Sequence, residues 1–308
     1  MAGMGDRAFR EICAGFGASY TVSEMVSAKG LEFDSQKSAE LLELGGRPYR
    51  CPQAVQIFGN EPKTMAEAVK TAAGYSPDVI DINMGCPAPK ITNSGSGSAL
   101  MKNLPLAREI IGAVVSVARQ EGIPVTVKMR KGWDDNLINA VDAAKIAEEM
   151  GASAIAVHGR TRQQMYSPPV DLDIIARVKE AVSIPVIGNG GIESAKGAAE
   201  MYRHTGCDLV MVGQGSYGAP WLFAQIAAYM EDETILPDPS LEEKMRIMIE
   251  HISLSCRYKG QHRAMREARS HVVHYFKERP GSAELRRRAG GLKTMDDLRA
   301  LAEYALEN

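Results

Sequence analysis

The sequence has little that would place the protein in a membrane or outside the cell. No apolar stretch in its 308 residues approaches the roughly 18 residues that a membrane span requires. The opening residues do not form a signal peptide either, because Asp6, Arg7 and Arg10 interrupt them. We therefore expect a cytoplasmic protein that is not associated with a membrane.

Cysteine is scarce and scattered, and no C-x-x-C pair occurs. An odd number of cysteines that form no sequence pair disfavours both a disulfide framework and a zinc site, and it is typical of a protein from a reducing compartment. His271 and His274 share a helical spacing, but the sequence places no third ligand beside them, so we expect no metal. The five cysteines are Cys13, Cys51, Cys86, Cys207 and Cys256.

The chain also lacks a G-x-G-x-x-G turn after an early strand, which argues against a doubly wound dinucleotide-binding sheet. Short β-rich runs instead alternate with amphipathic helical stretches, as in βαβ units with a parallel sheet. Helices are predicted, for example, over Pro105–Gln120, Asn136–Met150 and Asp171–Ala181. The predicted strands are Ser19–Ser23, Ala54–Phe58, Val79–Asn83, Pro124–Met129, Ala154–His158, Pro185–Gly188 and Leu209–Val212.

Polar residues and glycines follow nearly every predicted strand at its carboxyl end. This is the layout of a (β/α)8 TIM barrel, whose active site collects at the carboxyl ends of the strands. Asp6 is a good N-cap for a helix over Arg7–Gly15, so the chain starts on a helix rather than a strand. We expect an α/β protein with a TIM barrel that lacks its first strand.

A polar segment with prolines, Glu231–Ser240, precedes a C-terminal region that is helical in pattern. Helices over Leu241–Lys259, Ala264–Glu278, Ser282–Arg288 and Thr294–Glu307 predict a small bundle. We therefore expect a barrel domain over residues 1–232 and a helical domain over residues 241–308. The bundle is basic and the barrel acidic, which favours RNA contact through Arg257, Lys259, Arg263, Arg266, Arg269, Lys277, Arg286, Arg287 and Arg288.

The segment DINMGCPAPK, residues 81–90, is the most specific motif. A predicted strand ends at Asn83, and the glycine and prolines that follow form a rigid loop that presents Cys86 at the barrel mouth. A thiol in such a loop can be a nucleophile, a metal ligand or a general acid, or only a small buried apolar side chain. The Gly/Pro loop at a strand end favours a functional thiol.

Basic side chains end the next two strands. Lys128 and Arg130 share one face, and Lys128 must point toward the mouth or be a costly buried cation. His158, Arg160 and Arg162 follow the next strand closely. Such a cluster favours contact with an anion or with RNA.

Glycine-rich loops follow the last two strands. They are PVIGNGGI, residues 185–192, and MVGQGS, residues 211–216. In barrels, loops at these positions form a phosphate site, because glycines let backbone N–H groups approach the anion. A phosphate site without a nicotinamide fingerprint suggests FMN, with its flavin ring over the barrel centre.

In these motifs the chain resembles the tRNA-dihydrouridine synthases, and most of all their bacterial B-type subgroup. The resemblance runs from MAGMGDRAFR (residues 1–10) through NMGCPAPK (83–90) and HGRTR (158–162) to GSYGAPWLF (215–223). It implies an FMN enzyme that reduces uridine in tRNA with NADPH, and we expect it to be a monomer.

The resemblance also implies roles for individual residues. Cys86 is implied as the proton donor to C5 of uracil, after the reduced flavin has delivered hydride to C6. Gln214 stands where the family commonly has Arg, so we expect weaker binding of the FMN phosphate. The implied FMN-binding residues are Met1, Ala2, Gln56, Lys128, His158, Asn189, Gly190, Gly191, Gly213 and Gln214. The residues expected to contact the RNA substrate are Asn83, Arg130, Arg160, Arg162 and Tyr166.

Two other functions remain open at this point. Another FMN barrel reductase, of the dihydroorotate or dihydropyrimidine dehydrogenase kind, would also use a loop Cys or Ser and an NGGI-like loop. A tRNA-binding protein without catalysis would explain the missing first strand and Gln214. The basic C-terminal region and HGRTR favour a tRNA enzyme.

Overall fold

A computed structural model describes residues 2–33, 36–44, 51–277 and 281–307. Strands and helices alternate through the first part of the chain, and the last part is helical. The first part contains α1 (Arg7–Gly15), β1 (Thr21–Val22), β2 (Val26–Ser27), α2 (Ala28–Glu32), α3 (Gln36–Glu40), β3 (Gln53–Phe58), α4 (Pro62–Ala73), β4 (Val79–Met84), α5 (Pro89–Thr92), α6 (Leu104–Gln120), β5 (Val125–Arg130), β6 (Gly132–Asp134), β7 (Leu137–Ile138), α7 (Ala140–Glu149), β8 (Ala154–His158), α8 (Leu172–Ala181), β9 (Val186–Asn189), α9 (Ala195–Thr205), β10 (Leu209–Met211) and α10 (Leu222–Asp232). The last part contains α11 (Leu241–Lys259), α12 (Gln261–Tyr275), α13 (Ser282–Ala289) and α14 (Met295–Glu307).

One parallel sheet organises the first part of the chain. Its strands follow the order β1, β3, β4, β5, β8, β9, β10, and β2 also pairs with β3. Because β1 and β2 pair with opposite ends of β3, they occupy one interrupted strand position. Among the described residues no strand joins β10 to β1, so the sheet is an open, TIM-like barrel of seven strand positions. The predicted α/β barrel fold is confirmed.

Helix boundaries follow from local capping. The Asp6 carboxylate accepts a hydrogen bond from the backbone N–H of Phe9 and caps α1, as the sequence predicts. Ser240 and Glu243 form a reciprocal capping box at the start of α11. These caps satisfy N–H groups that have no partner within the helix.

The helix predicted over Asn136–Met150 is wrong at its start. Leu137 and Ile138 pair with Gly132–Asp134 in a two-stranded antiparallel ribbon, and α7 begins only at Ala140. The ribbon is possible because Gly132 has no Cβ, which would otherwise collide with the Leu137 carbonyl. Local spacing alone cannot show this pairing.

Among the described residues there are two large hydrophobic cores and a small third cluster of Phe9, Cys13 and Ala18. The larger core lies between the sheet and its surrounding helices and includes Ile80, Ile82 and Val127. The second core fills the C-terminal helices and also takes in Ile12 of α1 and Trp221. The division into a barrel domain over residues 1–232 and a helical domain over residues 241–308 stays a prediction, because α1 of the first segment packs into the core of the second. None of the described helices is both long and apolar enough to cross a lipid bilayer.

Candidate active site

The carboxyl ends of the parallel strands bring the predicted site residues together. The register places Asn83 opposite Lys128, and it makes Arg130, His158 and Asn189 successive neighbours on β5, β8 and β9. Because residues in register on parallel strands face the same side, these side chains converge at one end of the barrel.

The Cys86 loop is fixed by hydrogen bonds at both of its ends. The Asn83 side-chain oxygen accepts from the backbone N–H groups of Gly85 at 3.1 Å and Cys86 at 2.9 Å. The Cys86 carbonyl accepts from the Ser98 hydroxyl at 2.9 Å. Cys86 itself is a partly exposed free thiol. The loop therefore presents a thiol on a rigid backbone, as its glycine and prolines predict.

A buried hydrogen-bonded network lies behind this loop. The Gln56 amide donates to Asp81 at 2.7 Å and accepts from the Asn83 amide at 2.8 Å. The Thr126 hydroxyl also donates to Asp81. Burial raises the pKa of Asp81 to about 6. Sequence reasoning missed Asp81, although strand alternation places it on the same face as Asn83.

Lys128 and His158 lie at the centre of the mouth with unused hydrogen-bonding capacity. Burial, with the nearby charge of Arg130, lowers the pKa of Lys128 to about 7. Burial and the charges of Lys128, Arg130 and Arg160 lower the pKa of His158 to about 2, so its ring is neutral. Its Nδ1 atom is buried without a hydrogen-bond partner among the described residues. A bound polar group or a water molecule can satisfy this nitrogen.

The loops after β9 and β10 contain glycines, whose backbone lies close to His158. Gly190 and Gly191 have φ values of +117° and +67°, which favour glycine. A Cβ on Gly190 would lie 2.8 Å from Nε2 of His158. The Asn189 amide donates to the Met211 carbonyl at 2.8 Å and ties the two loops together.

Gln214 lies at the edge of these two glycine loops. It begins a short 3-10 helix, Gln214–Ser216, directly after Gly213, and its side chain is exposed. An Arg160 guanidinium nitrogen lies 3.9 Å from the position that a Cβ on Gly191 would take. A cation therefore lies beside the glycine loop. Ala2 is exposed, and Met1 lies outside the described residues.

Arg130 is bonded to the protein itself. Its guanidinium donates to the carbonyls of Gly85 at 3.0 Å, Thr161 at 2.7 Å and Met165 at 3.0 Å. These bonds join the Cys86 loop to the loop after β8. Burial lowers the pKa of Arg130 to about 10, so it stays charged at neutral pH.

The outer rim combines aromatic and basic side chains. The Arg162 guanidinium lies over the Trp133 ring at 4.9 Å, and the Lys102 ammonium lies over the same ring at 4.2 Å. Tyr166 is 55% exposed. Sequence reasoning gave Trp133 no role, although it follows the cationic end of β5 directly.

Many basic residues of the bundle are paired internally. Lys259 binds Asp6 at 2.6 Å and also binds Glu267, while Arg263 pairs with Glu40 and Glu267. Arg269 donates to the Leu292 carbonyl, and Arg287 and Arg288 pair with Glu284. Within the described residues of the bundle, the exposed arginines for which no side-chain partner is found are Arg257, Arg266 and Arg286.

A buried cluster joins α1 to the bundle. The side chains of Asp6, His251 and His271 bring possible ligand atoms within 4.8 Å of one another. The Asp6 carboxylate already caps α1 and binds the Lys259 ammonium, which repels a metal cation at this position. His271 packs against His251, with ring centroids 4.9 Å apart, and its sequence neighbour His274 is not part of the cluster.

A family model described as "Dihydrouridine synthase (Dus)" matches residues 1–308. The chain belongs to the dihydrouridine synthase family. The tRNA-dihydrouridine synthase B of Pseudomonas putida is 42% identical over 293 residues, which is 95% of this chain and 86% of that protein. The probable tRNA-dihydrouridine synthase of Rickettsia conorii is 42% identical over 307 residues, which is 100% of this chain and 91% of that protein.

A solved structure supports the barrel fold of this dihydrouridine synthase family member. The 6-hydroxypseudooxynicotine amine oxidase of Pseudomonas geniculata aligns with a TM-score of 0.56 at 14% identity, over 73% of this chain and 44% of that one. Family membership makes the protein an oxidoreductase and implies flavin-dependent reduction that forms dihydrouridine in tRNA. It decides against the dihydroorotate-type and non-catalytic alternatives.

Proposed function

We propose that the protein reduces uridine in tRNA to 5,6-dihydrouridine with FMN as its flavin, NADPH as the reductant and Cys86 as the proton donor. The observation that carries the proposal is the Cys86 loop, which Asn83 holds at the strand ends of a barrel of this family. A thiol at that point can reach a base that enters the mouth.

The chemistry of the mouth fits FMN. The neutral His158 ring has a buried nitrogen without a partner, and the Lys128 ammonium forms no ion pair among the described residues, so both can bind the flavin. Gln56 would contact the flavin from β3. When bound, FMN supplies the hydride. Residues that would hold its phosphate end are Asn189, Gly190, Gly191, Gly213 and Gln214, with Met1 and Ala2 at the flavin.

The proton comes from the chain itself. A hydride on C6 of uracil leaves negative charge on C5 and the C4 carbonyl, and the Cys86 thiol then gives its proton to C5. Hydride and proton together saturate the bond between C5 and C6. Lys128 and the buried charge of Arg130 stabilise the developing enolate. Water restores the proton to the Cys86 sulfur.

A uridine must leave its stack in tRNA to enter the mouth. The exposed Tyr166 ring and the Arg162–Trp133 pair line its edge and can stack on the nucleotides around it. Asn83, Arg130 and Arg160 lie further in. The bundle, proposed as the RNA-binding part over residues 241–308, offers Arg257, Arg266 and Arg286 to phosphates.

Single-turnover reduction tests the proposal. In Cys86→Ala we expect NADPH to reduce bound FMN at the parent rate, whereas dihydrouridine formation in tRNA is lost. Cys256→Ala changes another partly exposed thiol on α11 and should behave like the parent. Parent-level dihydrouridine formation in Cys86→Ala would overturn the assignment of Cys86 as proton donor. A purified protein that never binds FMN would overturn the assignment of FMN as cofactor.

A further inference from the structure

We infer that Asp81 is a positioning residue, whose carboxylate fixes the orientation of the Gln56 and Asn83 side-chain amides and, through them, the loop that carries Cys86. The inference rests on the proposed function, in which Cys86 is the proton donor. It adds a residue that does not touch the substrate and acts only through its neighbours.

The contacts form one unbroken chain. Gln56 Nε2 donates to Asp81 Oδ2 at 2.7 Å, and Asn83 Nδ2 donates to Gln56 Oε1 at 2.8 Å. Asn83 Oδ1 then accepts from the backbone N–H groups of Gly85 and Cys86. The loop backbone is therefore only two side chains away from the buried carboxylate.

The two ends of this chain have fixed and opposite hydrogen-bonding character. An ionised carboxylate only accepts, and a backbone N–H only donates. Each amide between them has one donating end and one accepting end. Only one orientation of Gln56 combined with one orientation of Asn83 satisfies every contact.

Any other arrangement places a hydrogen-bond acceptor against an acceptor, or a donor against a donor. If Gln56 turns over, its oxygen faces the Asp81 carboxylate and its nitrogen faces the Asn83 nitrogen. If Asn83 turns over as well, its nitrogen faces the N–H groups of Gly85 and Cys86, and the loop loses its anchor. Asp81 is 4% exposed and Asn83 is 8% exposed, so water cannot readily satisfy their reversed contacts, while Gln56 between them is partly buried.

The surroundings hold the carboxylate in place and ionised. Ile80 and Ile82 flank it on β4 and are fully buried, and the Thr126 hydroxyl donates to its second oxygen. Burial raises the pKa of Asp81 to about 6, and the hydrogen bonds from Thr126 and Gln56, followed by the positive charge of Lys128, oppose the shift. Asp81 is therefore an acceptor at neutral pH.

The decisive variant is Asp81→Leu, which removes the acceptor and keeps an apolar side chain of similar size. We expect the rate at which iodoacetamide alkylates Cys86, followed by peptide mass spectrometry without tRNA, to change by about tenfold or more, because Asn83 is no longer held in the one orientation that anchors the loop. At saturating FMN, single-turnover dihydrouridine formation should fall by a similar factor, about tenfold. Reduction of FMN by NADPH should change less than dihydrouridine formation, because it needs no proton from Cys86.

The matched control is Thr126→Val. It removes the other hydrogen bond of the same carboxylate and leaves both amides with their partners. We expect its Cys86 alkylation and dihydrouridine formation to match the parent. If Thr126→Val and Asp81→Leu change both rates equally, a general packing effect replaces the positioning role.

Asp81→Asn is the second variant, in case the leucine variant fails to fold. Its amide can accept from Gln56 or, turned over, donate to it, so both orientations of the chain become possible. Alkylation and dihydrouridine formation should then lie between those of the parent and the leucine variant. Parent rates in both variants would overturn the inference. A failed proton-donor role would appear separately, as dihydrouridine formation in Cys86→Ala.

Discussion

Single side chains determine how tightly the mouth can hold an anion. Gln214 is neutral and exposed at the edge of the glycine loops, whereas the Arg160 guanidinium lies beside Gly191. Arg160 also donates to the Pro168 carbonyl, which fixes its direction. At this scale the electrostatics of the proposed phosphate site depend on the Arg160 cation and on the neutral side chain of Gln214.

Gln214→Arg should tighten FMN binding, because a charged donor forms a stronger hydrogen bond to phosphate than a neutral amide. The dissociation constant of FMN should fall about tenfold through one such contact. Fluorescence quenching of free FMN measures it. Gln214→Met is the control and should weaken binding only slightly. Unchanged affinity in Gln214→Arg would show that Arg160 already supplies the charge.

Gly190→Ala should disturb the mouth more than an ordinary glycine substitution. The residue has φ +117°, and its new Cβ would lie 2.8 Å from the His158 ring. Strain of this kind costs roughly 1–3 kcal/mol of the free energy of unfolding. Gly206→Ala is the matched control, because Gly206 also has a positive φ, +64°, but no atom within 4 Å. Equal losses in urea titrations would contradict the role of the His158 contact.

At the scale of elements, α1 is the joint between barrel and bundle. Its N-cap, Asp6, binds Lys259 at the end of α11, and Ile12 lies in the core of the bundle. Burial lowers the pKa of His251 to about 3, while the Lys259 charge helps to lower the pKa of Asp6 to about 2 against the opposing effect of burial. The histidine is therefore neutral and the carboxylate ionised in the folded state.

Acid should loosen this joint. Between the unfolded pKa of 6.5 and the folded value of about 3, unfolded His251 binds a proton that the folded state rejects, so stability falls as pH falls. Asp6 adds a further loss between 3.8 and about 2. From neutral pH to pH 5 the His251 contribution is about 2 kcal/mol.

Urea unfolding in the holoprotein at neutral pH and pH 5 measures this loss. His251→Phe should reduce the pH dependence, whereas His262→Gln, which changes an exposed histidine on α12, should keep it. His271 and His158 also have lowered pKa values, so part of the acid loss stays in His251→Phe. An identical pH profile for His251→Phe and the parent would exclude His251 as a source.

At the scale of the whole molecule, charge is distributed less simply than the basic C-terminal sequence indicates. The formal net charge is −2, and several cations of the bundle neutralise acidic groups of the chain itself. The exposed arginines that remain free for phosphates are spread over α11, α12 and α13. RNA binding by the bundle should therefore involve few direct ionic contacts.

Replacing Arg257, Arg266 and Arg286 together by Ala should weaken tRNA binding and flatten its salt dependence. Each phosphate contact that is lost lowers the slope of log K against log salt by about 0.7–0.9. Fluorescence anisotropy with labelled tRNA at several salt concentrations measures the slope.

The control for this variant removes cations from the opposite end of the barrel. Lys70, Arg119 and Arg203 lie in the last turns of α4, α6 and α9, away from the strand carboxyl ends. Their triple Ala variant should keep the parent slope. Equal slopes for both triple variants would show that the bundle arginines do not contact the RNA.

The sequence by itself determined the strand and helix alternation, the convergence of Cys86, Lys128 and His158 at strand ends, and the glycine loops. These features depend on spacing over a few residues and on the rule that parallel strands end at one face. The tertiary structure decided which groups are partners. The Lys259–Asp6 pair spans 253 positions, and the Arg130 bonds join two distant loops. Such pairing depends on how close the folded chain brings its charges, and no local pattern records that distance.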